Sequence, residues 1–80
     1  MNDIEQALYG FIKEHFEIED DPDYTPEVHL FDSGFVDSLG AIEIISFAEE
    51  KWSIEITQRD LTLYPMNTVR EIAAVISAKL

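Results

Sequence analysis

Eighty residues with 46% apolar side chains, no cysteine and a formal net charge of −12 leave room for one domain, residues 1–80, and a single core. Such a chain buries only about 60% of its unfolded surface, which excludes a core plus a large substrate cavity. The missing cysteines exclude disulfides and any thiolate supplied by the chain, and the acidity disfavours nucleic acid and anionic lipid as partners.

Ile4, Ala7, Leu8, Phe11, Ile12 and Phe16 recur at the i, i+3, i+4 spacing of an amphipathic helix, placing the first helix over residues 3–16. Asp3 stands where an N-cap or a first-turn acid belongs, and Gly10 lies off the stripe. Two prolines and six acids between Glu17 and Glu27 break any continuous helix. The connection from 17 to 37 is therefore long, and long loops in compact domains are often functional. Val28, Leu30, Phe31, Phe35 and Val36 are apolar enough to hold its second half on the core, with Asp32-Ser33-Gly34 as a tight turn and Gly34 able to take a positive φ.

The second helix starts at Ser38 or just before it. Ala41, Ile44, Ile45, Ala48 and Trp52 share one face, Leu39, Ile42 and Ser46 a neighbouring one, with Glu43, Glu49 and Glu50 outside. This apolar surface is wider than packing requires, so part of it is expected to stay exposed for contact. Ser53-Ile54-Glu55-Ile56 reads as an extended linker with both isoleucines inward. Thr57 caps a short third helix from Gln58 to about Leu63, with Asp60 completing a capping box and Pro65 ending the segment. Thr68, with Glu71 completing a second box, caps a fourth helix that runs to Lys79 and buries Val69, Ile72, Ala73, Ile76 and Leu80. The expectation is an all-α protein: a small four-helix bundle with a long first loop and one short third helix.

Residues 1–37 carry eleven acids against Lys13 alone, and residues 38–80 carry six acids against four bases. An uneven acidic field of this kind suits basic protein partners, whose encounter it speeds, although acidity also serves plain solubility. There is no apolar run of membrane-spanning length, so no direct membrane insertion is expected. The acidic start Met1-Asn2-Asp3-Ile4-Glu5 is unlike a signal peptide, and a cytoplasmic monomer is the default expectation. Met1 and a complete fourth helix favour a free-standing protein.

Chemistry has few carriers in this chain. His15 and His29 lie in no spacing that suggests a catalytic triad, so no catalytic residue and no enzyme is expected. The glycines at 10, 34 and 40 form no phosphate loop. A calcium loop read from Asp20 meets Pro22 at its third position and Thr25 at its sixth, and one read from Asp32 meets Gly34 and Asp37; neither fits the ligand pattern, so no metal ligands are assigned. Ser38 remains, with two local interpretations. Its hydroxyl either caps the helix or bears a phosphodiester that the positive helix end would tolerate. Gly40, a poor helix former, would clear bulk beside such an attachment.

The segment Leu30-Phe31-Asp32-Ser33-Gly34-Phe35-Val36-Asp37-Ser38-Leu39 resembles the phosphopantetheine attachment region of acyl and peptidyl carrier proteins. The likeness continues through Ile42-Glu43-Ile44, Glu49-Glu50, Ile54-Glu55-Ile56 and Thr68-Val69-Arg70-Glu71-Ile72. The resemblance implies a 4′-phosphopantetheine arm on Ser38, transferred from coenzyme A by a Mg²⁺-dependent phosphopantetheinyl transferase, with Asp37 beside it helping to place that enzyme and its metal. It also implies that Leu39, Ile42 and Glu43 face partner enzymes: an acyl- or aminoacyl-loading ligase and a downstream acyltransferase or synthase. Asp37-Ser38-Leu39-Gly40 and Thr62-Leu63-Tyr64-Pro65 are similar to stand-alone D-alanyl or other aminoacyl carriers, or carriers from specialised biosynthetic clusters. Trp52, Phe47 and Phe16 are large enough to fill the space of a long acyl chain, which favours short cargo. The alternative is an acidic helical interaction module without a prosthetic group.

Overall fold

A computed structural model describes all residues from Met1 to Leu80. Four helices and no strand make up the chain: α1 (Asp3–His15), α2 (Ser38–Trp52), α3 (Gln58–Leu63) and α4 (Val69–Lys79). The expected all-α bundle with a long first loop and a short third helix is what forms. The core is one cluster built from Leu8 and Ile12 of α1, Ile44 and Ala48 of α2, and Val69, Ile72, Ala73 and Ile76 of α4. Helix α1 packs most extensively on α4.

Local chemistry sets the helix ends. Asn2, one residue before the acid expected there, caps α1: its side chain accepts from the Glu5 N–H at 2.8 Å, and Glu5 reaches back to the Asn2 N–H at 2.9 Å. Asp3 is a first-turn acid, and α1 ends at His15, with Phe16 as its C-cap. Glu5 is buried because its other oxygen pairs with Arg70 Nε at 3.3 Å, while Arg70 Nη2 holds Glu27 at 2.8 Å. The Thr57–Asp60 box closes as expected. At α4, Thr68 Oγ1 accepts from the Glu71 N–H at 3.0 Å, but the Glu71 carboxylate turns to the Asn67 N–H, also at 3.0 Å, so the reciprocal half of the expected box is absent. Leu80 does not join the buried stripe: it lies beyond the last turn and is 68% exposed, and Val75 is buried instead. Glu49, expected outside, folds back so that its carboxylate accepts the Ile56 N–H at 2.9 Å.

The loop from 17 to 37 is a packed part of the domain. Leu30 and Val36 are buried and Val28, Phe31 and Phe35 pack against the core, as their apolarity suggested. Ile18 and Tyr24 are buried as well. Tyr24 stacks on Tyr9 with ring centroids 4.3 Å apart, and each phenol donates to the other residue's carbonyl, at 2.7 and 2.8 Å. Burial drives the Tyr24 phenol well above its ordinary pKa. The Leu30 N–H donates to Asn67 O at 2.8 Å and the Arg70 N–H to Pro26 O at 3.1 Å, stitching the loop to the start of α4. Gly34 takes the expected positive φ, +85°, and the turn delivers Val36 to the core directly before α2.

Candidate functional site

The N-terminus of α2 is capped by Asp37, whose Oδ1 accepts the Gly40 N–H at 2.8 Å. Ser38 is thus the first residue of the helix, and the capping role open to it in the sequence is taken by its neighbour. Its side chain is exposed and its hydroxyl enters none of the chain's hydrogen bonds. The Ala41 N–H is satisfied by the Asp37 carbonyl at 3.0 Å, and the amides of Ser38 and Leu39, in the first turn, have no partner in the chain. The first turn of α2 contains no acid. A free hydroxyl, two open amides and the positive end of the helix dipole therefore converge at one exposed point, an arrangement that accommodates a phosphodiester on Ser38. An open depression lined by Phe31, Gly34, Val36 and Ala41 adjoins Asp37 and Ser38 and gives such a group room.

Leu39 and Ile42 are 70% and 61% exposed, far more than expected for large apolar residues of a helix in a bundle. Ser38 with Ile42, and Leu39 with Glu43, are pairs four residues apart and so neighbours on the helix surface. The structure thus brings all the anticipated α2 residues into one patch beside the serine. Glu43 is half exposed, and its carboxylate is held by His15 Nε2 from the end of α1. Sequence spacing gave no sign of this contact, because the two residues meet only through the packing of α1 on α2. His29 Nδ1 accepts the Asp32 N–H at 3.0 Å in its own loop. Neither histidine bonds to the Ser38 hydroxyl, and no three His, Asp or Glu side chains converge as metal ligands.

Gly40 serves a purpose other than the one its position suggested. It is buried, and a Cβ placed there would lie 2.7 Å from Phe16 Cε1 and 2.7 Å from Val36 Cγ1. The missing side chain makes room for the core below the helix, not for a group attached above it. Further along α2, Phe11 of α1 stacks on Phe47 at 3.9 Å, and Phe47 meets Trp52 edge-on at 5.8 Å.

Residues 6–76 match the family described as the phosphopantetheine attachment site. No curated protein and no solved structure matches the chain. Domains of this family carry a covalently attached 4′-phosphopantetheine and are carriers, not enzymes. They are served by a phosphopantetheinyl transferase and by synthase or ligase partners. With an unobstructed helix-terminal serine inside the matched span and a four-helix fold to present it, the chain belongs to the phosphopantetheine-binding family of carrier domains.

Proposed function

We propose that Ser38 is the residue that receives the arm and that the protein holds acyl or aminoacyl groups as thioesters for delivery to partner enzymes. The observation that carries this is the exposed, unbonded Ser38 hydroxyl at the first position of α2, freed from capping by Asp37. The bound arm supplies the thiol that a cysteine-free chain lacks. Asp37 has two tasks: its Oδ1 fixes the helix start, and its exposed carboxylate offers the transferase and its metal an anionic contact. Leu39, Ile42 and Glu43 form the partner face, an apolar centre with one charge at its edge. The stacked Phe11 and Phe47 rings, Trp52 edge-on to Phe47, and the seat of Phe16 on Gly40 fill space between α1 and α2, which supports short acyl or aminoacyl cargo. No helix of the chain is long and apolar enough to cross a membrane, and we place the protein in the cytoplasm, as a monomer.

Incubation with coenzyme A, Mg²⁺ and a broad-specificity phosphopantetheinyl transferase, followed by intact mass measurement, tests the assignment. One phosphopantetheine is expected on the wild-type chain and none on Ser38→Ala. An unmodified wild type, or equal modification of both, overturns it.

A further inference from the structure

Gly40 sits in the first turn of α2 without a positive φ, so backbone freedom does not account for it. Alanine is intrinsically the better helix former at such a position. What the structure offers instead is contact. The α2 backbone at Gly40 rests on Phe16 and Val36, and a Cβ there would come within 2.7 Å of Phe16 Cε1, 2.7 Å of Val36 Cγ1 and 2.9 Å of Phe16 Cζ. Phe16 is the C-cap of α1, and its ring meets that of His15 edge-on, centroids 4.9 Å apart. His15 in turn holds Glu43. The end of α1 therefore grips α2 at two points about one turn apart, through Gly40 and through Glu43, and Ser38 stands at the free end of that gripped segment.

We propose that Phe16 is a positioning residue for the modification of Ser38: its ring, seated on Gly40, fixes the first turn of α2 and with it the direction of the serine hydroxyl. This rests on Ser38 as the attachment residue. In the transfer, Ser38 Oγ bonds to the phosphorus that bears the pantetheine of coenzyme A. The bond from that phosphorus to the oxygen bridging it to the adenylate phosphate breaks, and adenosine 3′,5′-bisphosphate departs with the electron pair. The hydroxyl proton passes to a base of the transferase or to water. A displacement of this kind needs the attacking oxygen near its target in a defined line, and a shift of about 1 Å costs up to roughly a hundredfold in rate. A Cβ at Gly40 must displace the Phe16 ring and the Val36 side chain, or else the turn that carries Ser38.

The test measures kcat and KM for pantetheinylation of the full chain as wild type, Gly40→Ala, Phe16→Leu and the double variant, with thermal unfolding recorded in parallel. Gly40→Ala is expected to lower kcat by roughly tenfold or more while KM for coenzyme A is unchanged. The double variant, in which the smaller leucine relieves the contact with Phe16 while that with Val36 remains, is expected to regain part of that loss. Residues in contact couple in stability as well, so kcat is compared at a temperature where the unfolding curves show every variant fully folded, and a rescue there is one of positioning. A wild-type kcat for Gly40→Ala, or a loss undiminished in the double variant, overturns the proposal. Should Gly40→Ala fail to fold, Phe16→Ala decides, since it removes the seat without a clash: lowered kcat supports the proposal and unchanged kcat overturns it. A wild-type chain that takes no phosphopantetheine, or a Ser38→Ala chain that takes it equally, refutes the attachment residue itself and this proposal with it.

Discussion

Asp37 is assigned two tasks, and a pair of substitutions separates them. Asp37→Ala deletes the Oδ1 acceptor of the Gly40 N–H, a 2.8 Å bond at a partly buried position. Asp37→Asn keeps a carbonyl oxygen in the same place but loses the charge. Aspartate and asparagine are near-equal N-caps, and replacement of either by alanine costs about 1 kcal/mol. Unfolding an eighty-residue domain carries an entropy of about 170 cal/mol/K near 60 °C, so that cost appears as a fall in Tm of about 6 °C. The asparagine variant should stay within about 2 °C of wild type on the same grounds. Each variant removes one negative charge from a chain of net −12, so any relief of self-repulsion is common to both and cancels in the comparison. Thermal unfolding followed by circular dichroism at neutral pH reads the difference.

Pantetheinylation kinetics well below the unfolding range read the second task. Loss of one charge-assisted contact to the transferase lowers kcat/KM by about tenfold or more, equally in the two variants. Equal Tm losses for Asn and Ala would refute the capping account of Asp37, and with it the reason given for the freedom of Ser38. Wild-type kcat/KM in both would refute its contact with the transferase.

Two further outcomes are expected. The Lys79 ammonium, 2.7 Å from Asp60 Oδ2, and then the Thr57 N–H hold the Asp60 carboxyl at about 2. A folded-state value below the unfolded one of about 3.9 means that the unfolded chain binds the proton more readily, so Asp60 stabilises the fold at higher pH. The Tm gap between wild type and Asp60→Asn should therefore be full above pH of about 4 and close as the pH falls toward 2; a gap that persists at the acid end contradicts the assignment. On the partner face, Leu39→Ala and Ile42→Ala should leave stability within about 0.5 kcal/mol, since both side chains are mostly exposed, yet raise KM severalfold for a cognate loading ligase. Unchanged KM in both variants would move the partner face elsewhere.

The helix limits were legible wherever the signal was local. Thr57 with Asp60, Thr68, and the turn at Gly34 each work through a neighbour two to four residues away. The capping of α2 shows where that legibility stops. Asp37 and Ser38 are adjacent, both are strong cap formers, and composition alone does not say which of them takes the Gly40 amide. The remaining surprises join residues far apart in sequence. The Tyr9–Tyr24 pair, the Arg70 bridge to Glu5 and Glu27, His15 with Glu43 and Phe16 under Gly40 exist only because α1, the long loop, α2 and α4 pack as they do. Periodicity marks which residues turn inward, and it does not say which of them meet. Leu80 extends the α4 stripe by one more step of the pattern, but the helix stops at Lys79 and leaves no partner for it.

The placement of charge bears on how such a carrier would engage its partners. The acids are concentrated in residues 1–37, and several of them, Glu19, Asp21 and Asp23 among them, are exposed in the first half of the long loop. Helix α2 beside Ser38 presents Leu39 and Ile42 as its exposed surface. The one acid of that patch, Glu43, is already paired with His15. Long-range attraction and close contact are thus assigned to different parts of the molecule. The loop supplies a field that acts over roughly a Debye length, about 8 Å at physiological salt, and so would govern encounter with a basic partner. The apolar patch, as the proposed partner face, would govern how long a partner stays. For a carrier that must leave one enzyme to reach the next, this division is useful, because apolar contact over two side chains is too small for a lasting complex while electrostatic steering keeps encounters frequent. It follows that added salt should slow association with a basic partner more than it hastens release, whereas truncation of Leu39 or Ile42 should act chiefly on release.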